Sequence, residues 1–98
     1  MKIVLCCNAA MSTSIIKMKL REELKNRGIE GTVDAYPFTE GMEDTEGVDV
    51  FLLGPQIRYV AKEFTERVAP VPVHVIPMQD YNILHVGKIL DDALALIK

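Results

Sequence analysis

Two adjacent cysteines, Cys6 and Cys7, end an apolar run that begins at Ile3, and small and hydroxyl residues follow them. A cysteine thiolate is a strong nucleophile, and the field of a helix N-terminus lowers the pKa of a thiol placed beside it. Neighbouring cysteines make a disulfide of poor geometry. We therefore interpret both as reduced thiols, one of which is a candidate nucleophile.

The segment after Cys7 contains residue types that let a backbone curl around an anion. Backbone N–H groups at the start of a helix are unpaired donors, and the helix dipole reinforces them. Strand alternation predicts that Cys6 packs into the core while Cys7 faces the crevice. A buried small side chain followed by an ordinary helix cap is the alternative interpretation. The candidate phosphate-binding residues are Asn8, Ala9, Ala10, Met11, Ser12, Thr13 and Ser14.

Four apolar segments are candidate strands. Residues 3–6 and 48–53 are continuously apolar, which is typical of strands buried on both faces. Residues 32–36 alternate polar and apolar side chains, and residues 71–76 alternate and contain Pro72, which favours edge positions. The first and third strands are thus predicted to be central, and the second and fourth to be edges.

Helical spacing of apolar residues predicts helices over residues 14–27, 56–69 and 82–98. The acidic segment 37–47 is interpreted as a surface crossover with at most one helical turn. Alternating strands and helices imply a parallel sheet. We expect one α/β domain over residues 1–98, with a four-stranded parallel sheet of order 2-1-3-4 and helices on both faces.

In such a sheet the ligand crevice opens at the carboxyl ends of the central strands. The loop after the first strand and the segment after the third strand meet there. The expected rim of this crevice consists of Gly54, Pro55, Gln56, Tyr59, Asp80 and Tyr81.

The segments "CCNAAMSTS" and "LLGPQIRY", about 45 residues apart, resemble a known family. They are similar to the IIB component of the lactose/cellobiose/chitobiose class of the bacterial phosphoenolpyruvate-dependent sugar phosphotransferase system. The resemblance extends over essentially the whole chain, although Ala10 stands where glycine is frequent. It implies that Cys7 is the phosphorylated residue.

The resemblance also implies partners. Cys7 would accept a phosphoryl group from a phosphohistidine on a IIA protein and pass it to a sugar bound to the membrane-embedded IIC transporter. The sugar would be cellobiose-, chitobiose- or lactose-like. The protein would be cytoplasmic and peripherally associated with the membrane through IIC. The spacing of Ile15 and Met18 places them off the buried stripe of the first helix, so an apolar patch of Met11, Ile15 and Met18 is expected to contact these partners. The alternative is that the last helix covers them.

The chain also resembles the low-molecular-weight tyrosine phosphatases, whose fold has the same element order. Those enzymes carry an arginine at the sixth position after the cysteine, where this chain has Thr13. An aspartate near the fourth strand acts as their general acid, and Asp80 lies in about that place. Hydrolysis of phosphate esters by Cys7 and Asp80 is therefore the alternative function, although Asp80 is more readily interpreted as a helix cap or a solvated residue.

Composition limits the remaining possibilities. The chain has 98 residues and a formal net charge of −3, without a basic patch for nucleic acid. No apolar run is long enough for a membrane span. His74 and His85 have no cysteine or aspartate at useful spacing, so both are interpreted as structural or exposed. No cofactor is expected, and the sequence shows no cluster with metal-ligand spacing.

Overall fold

The structure is a computed structural model that describes the backbone of residues 1–7, 10–41, 43 and 45–97. Side chains are described for these residues except at positions 7, 10–14, 38 and 41. The strands are β1 (Lys2–Cys7), β2 (Thr32–Pro37), β3 (Val50–Leu53) and β4 (Val73–Val75). The helices are α1 (Ala10–Asn26), α2 (Phe38–Gly41), α3 (Ala61–Val68), α4 (Met78–Asn82) and α5 (Val86–Leu96), with a 3₁₀ segment over Pro55–Val60.

The four strands form one parallel sheet in the order β2-β1-β3-β4, as predicted. Leu5 lies opposite Ala35 on one side and Leu52 on the other, so β1 and β3 are central. β4 begins after Pro72 and is shorter than predicted, because proline has no N–H to donate to a sheet ladder. Its Val75 pairs with Leu53.

Each face of the sheet is covered by helices, as predicted. Ile3 and Leu5 of β1 belong to a buried cluster with residues of α1 and α5. Val4 and Cys6 point the other way and belong to a second cluster with residues of α3. In that cluster the rings of Phe51 and Phe64 meet edge to face, with centroids 5.1 Å apart. The alternation along β1 therefore sends successive side chains into two separate cores.

The helices differ from the prediction at their ends. α1 begins at Ala10, four residues before the predicted start. The predicted helix over 56–69 is a 3₁₀ segment followed by α3, and the backbone at Ile57 is non-helical (φ −115°, ψ 22°). The predicted helix over 82–98 begins only at Val86, as α5, and residues 78–82 form the separate helix α4. Leu84 lies between them with a φ of 53°, which no α-helix accommodates.

The acidic crossover contains the short helix α2, which agrees with the single turn predicted there. Within the residues that the structure describes, no helix combines the length and apolar character needed to cross a membrane.

Candidate functional site

The candidate site lies where β1 ends and α1 begins. β1 ends at Cys7, and α1 starts at Ala10. Such a short connection brings the unpaired N–H groups of the first helical turn close to the end of the strand. β1 is a central strand, and its neighbour β3 continues into a helix on the opposite face of the sheet. This is the position where open α/β sheets bind ligands.

Part of the predicted site is outside the described residues. Asn8 and Ala9 lie there entirely. For Cys7, Ala10, Met11, Ser12, Thr13 and Ser14 the structure gives backbone placement only, with Ala10 as the first residue of α1. The proposed roles of these side chains are thus predictions from the sequence.

Cys6 is fully buried, as predicted, in the cluster that faces α3. Its carbonyl oxygen accepts a hydrogen bond of 2.9 Å from the backbone N–H of Gly54. This contact ties the start of the 3₁₀ segment to the residue that precedes Cys7. The segments after β1 and after β3 are therefore adjacent, as the sheet order requires.

The predicted rim residues after β3 fall into two groups. Gly54 and Pro55 are buried and form the base of the 3₁₀ segment. Gln56 is exposed, and the side chain of Tyr59 is 72% exposed. Two of these four residues thus offer side chains to a ligand or partner, and the other two fix the backbone that carries them.

Asp80 and Tyr81 lie in α4, which follows β4, and both are buried. Tyr81 belongs to the core cluster that faces α1 and α5. Asp80 is only 5% exposed, so its interpretation as a solvated residue is wrong. Lys88 Nζ donates a hydrogen bond of 3.2 Å to Asp80 Oδ2, and His85 Nδ1 lies 3.7 Å from Asp80 Oδ1. Asp80 is thus held by Lys88 of the following helix and is not open to a substrate.

The ion pair of Asp80 is part of a longer charged network along α5. Lys88 Nζ also donates a hydrogen bond of 2.9 Å to Asp92 Oδ2, and the same oxygen lies 3.6 Å from Nε2 of His74 on β4. The hydrogen bonds that Lys88 donates to Asp92 and Asp80 raise the pKa of Lys88. The hydrogen bond from Lys88 lowers the pKa of Asp92. Burial lowers the pKa of His74.

This network agrees with the interpretation of the histidines as structural or exposed, and it adds aspartate neighbours that the sequence did not indicate. Both lie near aspartates in space, although neither has one at useful spacing in sequence. His85 precedes α5 rather than lying inside a helix. The spacing of Lys88 and Asp92, four residues apart in a predicted helix, could have revealed one pair. The other contacts join different elements and have no local signal. Across the described part of the chain, no group of histidine, cysteine or acidic residues could hold a metal ion.

Beside the site, α1 presents apolar side chains to solvent. The buried stripe of α1 is Ile16, Leu20 and Leu24, as predicted. Ile15 is 54% exposed and Met18 is 65% exposed, so α5 does not cover them. Exposed apolar side chains close to a functional edge are typical of an interaction surface.

Comparison with solved structures identifies the class of fold. A cellobiose-specific phosphotransferase IIB component from Borrelia burgdorferi is similar over 99% of this chain and 91% of that protein, with a TM-score of 0.80 and 32% identity. The lactose-specific IIB domain from Streptococcus pneumoniae, with 16% identity, shares the fold over 100% of this chain and 98% of its own, with a TM-score of 0.83. The fold that these proteins share is similar to that of the low-molecular-weight tyrosine phosphatases.

Sequence comparison then identifies the family. The model for "PTS system, Lactose/Cellobiose specific IIB subunit" matches residues 2–92. The oligo-beta-mannoside-specific EIIB component of Bacillus subtilis (strain 168) is 31% identical over 98% of this chain and 95% of its own length. The cellobiose-specific EIIB component of Lactococcus lactis subsp. lactis (strain IL1403) is 32% identical over 90% and 88%.

The chain therefore belongs to the lactose/cellobiose-specific IIB family of the phosphoenolpyruvate-dependent sugar phosphotransferase system. It is a phosphotransferase of sugar uptake, as the sequence motifs predicted. IIB components of this system work with IIA and IIC components. The phosphatase alternative is not favoured.

Proposed function

We propose that Cys7 is the residue that carries the phosphoryl group. The observation that carries this proposal is the position of Cys7 as the last residue of central strand β1, directly before the connection to α1. The other cysteine of the pair is fully buried in the α3-facing core and is inaccessible to a phosphoryl donor. A nucleophile beside the N-terminus of a helix has both a stabilised thiolate and a set of N–H donors for phosphate oxygens.

Two in-line transfers follow from this assignment. In the first, the electron pair of the Cys7 thiolate forms an S–P bond, and the N–P bond of a phosphohistidine on the IIA partner breaks. In the second, a sugar hydroxyl on the IIC transporter attacks phosphorus, the S–P bond breaks and the thiolate is regenerated. The hydroxyl proton leaves to a base of the transporter or to water. Backbone N–H groups of residues 8–14 would stabilise charge on the equatorial oxygens in both steps.

The partners would dock around this edge of the sheet. Ile15 and Met18 are exposed on α1, and Met11 precedes them by about one and two helical turns. Gln56 and Tyr59 are exposed on the opposite side of the crevice. A surface with apolar side chains on one lip and polar or aromatic side chains on the other suits a transient protein partner.

The sugar and the location follow from the same assignment. The relatives are named for cellobiose, galactose and oligo-beta-mannosides, so we place the sugar in the class of cellobiose-, chitobiose- or lactose-like saccharides. The protein would act as one domain over residues 1–98, in the cytoplasm, and would associate with the membrane through IIC.

The test of the proposed function is intact-mass analysis of the protein after incubation with phosphoenolpyruvate, the general carrier proteins of the system and a cognate IIA protein. Peptide mapping then locates the modified residue. We expect one phosphoryl group, on Cys7, and its loss when sugar and IIC-containing membranes are added. Phosphate on Cys6, His74 or His85 would overturn the assignment.

A further inference from the structure

Positive side chains are scarce at the edge of the sheet where Cys7 lies. The segments that follow the four strands are residues 8–9, 38–49, 54–60 and 76–85. They contain one arginine and no lysine, and that arginine is Arg58. The crossover after β2 is instead acidic where it begins, with carboxylates at Glu40 and Glu43. An anionic group that arrives at this edge has one guanidinium available from these segments.

Arg58 is also exposed, and no described residue supplies it with a counterion. Among the contacts that the structure describes, its guanidinium makes no hydrogen bond or ion pair. Arg21, in contrast, donates to the carbonyl oxygen of Val33 and pairs with Asp34. Arg27 is held between α1 and α5 by Glu23 and Asp91. Arg58 thus differs from these two structural arginines, because its donors are open to a ligand.

The segment that carries Arg58 is fixed next to the nucleophile strand. Its first turn is anchored by the hydrogen bond from Gly54 N to Cys6 O and by the buried side chains of Pro55 and Ile57. At about 2 Å per residue, the Cα atom of Arg58 lies within roughly 8 Å of Gly54 along the segment. An arginine side chain spans a comparable distance, so a guanidinium directed back along the segment is long enough to meet a phosphoryl group at the end of β1.

We propose that Arg58 contacts the phosphoryl group while it moves between the donor histidine and Cys7; this inference rests on the proposed function of Cys7. A guanidinium offers two parallel N–H donors that match two phosphate oxygens. The transfer exchanges one N–P bond for one S–P bond, and no proton moves to or from Arg58. Its role is to neutralise charge on the phosphoryl oxygens during the transfer.

The position on an exposed lip distinguishes Arg58 from an arginine built into the loop after Cys7. Within a loop, a guanidinium would grip phosphate permanently and favour attack by water on the phosphocysteine. From the lip it can engage the phosphoryl group when a donor is docked and return to solvent afterwards. A carrier needs this behaviour, because the phosphoryl group must survive until an acceptor arrives.

The experiment measures the rate of phosphoryl transfer from phosphorylated IIA to the protein in single-turnover mode, at several IIA concentrations. The variants are Arg58→Gln, Arg58→Lys and, as the charge-matched control, Arg67→Gln on the exposed surface of α3. We expect Arg58→Gln to lower the maximal rate roughly 10-fold to 100-fold, as for loss of a hydrogen bond from a charged group. Arg58→Lys should recover part of this loss, and Arg67→Gln should behave as wild type.

Two outcomes would overturn the role of Arg58. Wild-type rates in Arg58→Gln would show that the guanidinium does not act. A rise in the concentration of IIA needed for half-maximal rate, with an unchanged maximal rate, would assign Arg58 to partner docking alone. The wild-type protein in the same experiment tests the proposed function separately: if it takes no phosphate on Cys7, that function fails irrespective of Arg58.

Discussion

At the end of β1, residues 8–14 include no charged side chain, whereas the segment from the end of β4 into α5 includes Asp80, His85, Lys88 and Asp92. Both segments leave the same edge of one parallel sheet. The first leads into a helix within a few residues, and its hydrogen-bonding capacity toward an anion comes from backbone N–H groups. The second is rich in charges, and the structure pairs its carboxylates with Lys88.

The difference separates a phosphoryl site from a structural network. Asp80 is buried, and an isolated carboxylate in that position would be costly unless it were paired. Lys88 on α5 pairs with Asp80 on α4, so these charged side chains stabilise the packing of the two helices. At the end of β1 the proposed site depends instead on backbone N–H groups of the segment that follows Cys7.

The difference between the segments after β1 and β4 also affects the capacity for hydrolysis of phosphate esters. A phosphatase of this fold needs a cysteine, an arginine that grips phosphate and an acid that protonates the leaving group. Here Thr13 stands at the arginine position, and Asp80 is engaged by Lys88. The nucleophile of such a site can take a phosphoryl group, but the groups that would drive its loss to water are missing or occupied.

The largest expected effect tests the assignment of the site to the end of β1. Cys7→Ser should abolish acceptance of a phosphoryl group from IIA, because a serine hydroxyl is not ionised near neutral pH. Cys6→Ser is the matched control: it should retain transfer and lose roughly 1–3 kcal/mol of unfolding free energy, since a hydroxyl replaces a thiol in an apolar cluster. Radiolabelled transfer and denaturant unfolding measure the two effects. Retained transfer in Cys7→Ser would move the site elsewhere.

The next prediction tests whether Cys7, at the end of β1, and Asp80, in α4, act together in hydrolysis of phosphate esters. We expect turnover of p-nitrophenyl phosphate to be lower than in an arginine-containing phosphatase by roughly 10²–10³, the typical effect of one lost electrostatic donor. Asp80→Asn and Asp92→Asn should leave this weak activity unchanged across pH 5–8. Robust turnover that disappears in Cys7→Ser and drops in Asp80→Asn, but not in Asp92→Asn, would make Asp80 a general acid. The charged segment after β4 would then belong to the active site.

The sheet order could be predicted because a strand buried on both faces is continuously apolar, whereas a strand buried on one face alternates apolar and polar residues. The continuous apolar runs near Leu5 and Leu52 belong to central strands, and the alternating runs belong to edges. The exposure of Ile15 and Met18 could be predicted for a similar reason, since their spacing places them off the buried stripe of α1.

Apart from the Lys88–Asp92 pair within α5, the charged network could not be predicted, because its other contacts join β4, α4 and α5 across distances in sequence that carry no pattern. The break between α4 and α5 was missed for a different reason. Leu84 adopts a left-handed conformation that glycine or asparagine usually signals, and a leucine gives no such signal. The residues around Leu84 therefore keep helical spacing although the helix stops.

A smaller effect concerns the apolar side chains beside the end of β1. Met18→Asp places a charge in the proposed docking surface and should slow transfer from IIA by roughly tenfold, the effect of a typical interface residue. Folding should be unaffected, because the side chain is 65% exposed. Leu96→Asp, at the C-terminal end of α5 with 41% exposure, is the matched control and should transfer at the wild-type rate. Equal rates in all three proteins would exclude Met18 from the interface.

The smallest expected effect tests the network at the end of β4 through its pH dependence. Burial lowers the pKa of His74 below its ordinary value of 6.5, although the carboxylates of Asp92 and Asp80 oppose the shift and Lys88 adds to it. Below pH 6.5 the unfolded chain binds a proton at this position before the folded protein does. The free energy of unfolding should therefore fall as the pH is lowered from 6.5 toward the pKa of the folded state.

Thermal unfolding between pH 5 and 7.5 measures this slope in wild type, His74→Gln and His74→Asn. Neither replacement titrates in that range, so both should reduce the dependence of the melting temperature on pH by the same amount. Their effects on packing can differ, but these change only the absolute melting temperature. The imidazole Nε2 is buried without a hydrogen-bond partner among the described residues, so neither replacement removes a hydrogen bond made by that atom. A slope that persists unchanged in both variants would show that His74 does not set the acid sensitivity, and the loss would then have to come from another group of the network.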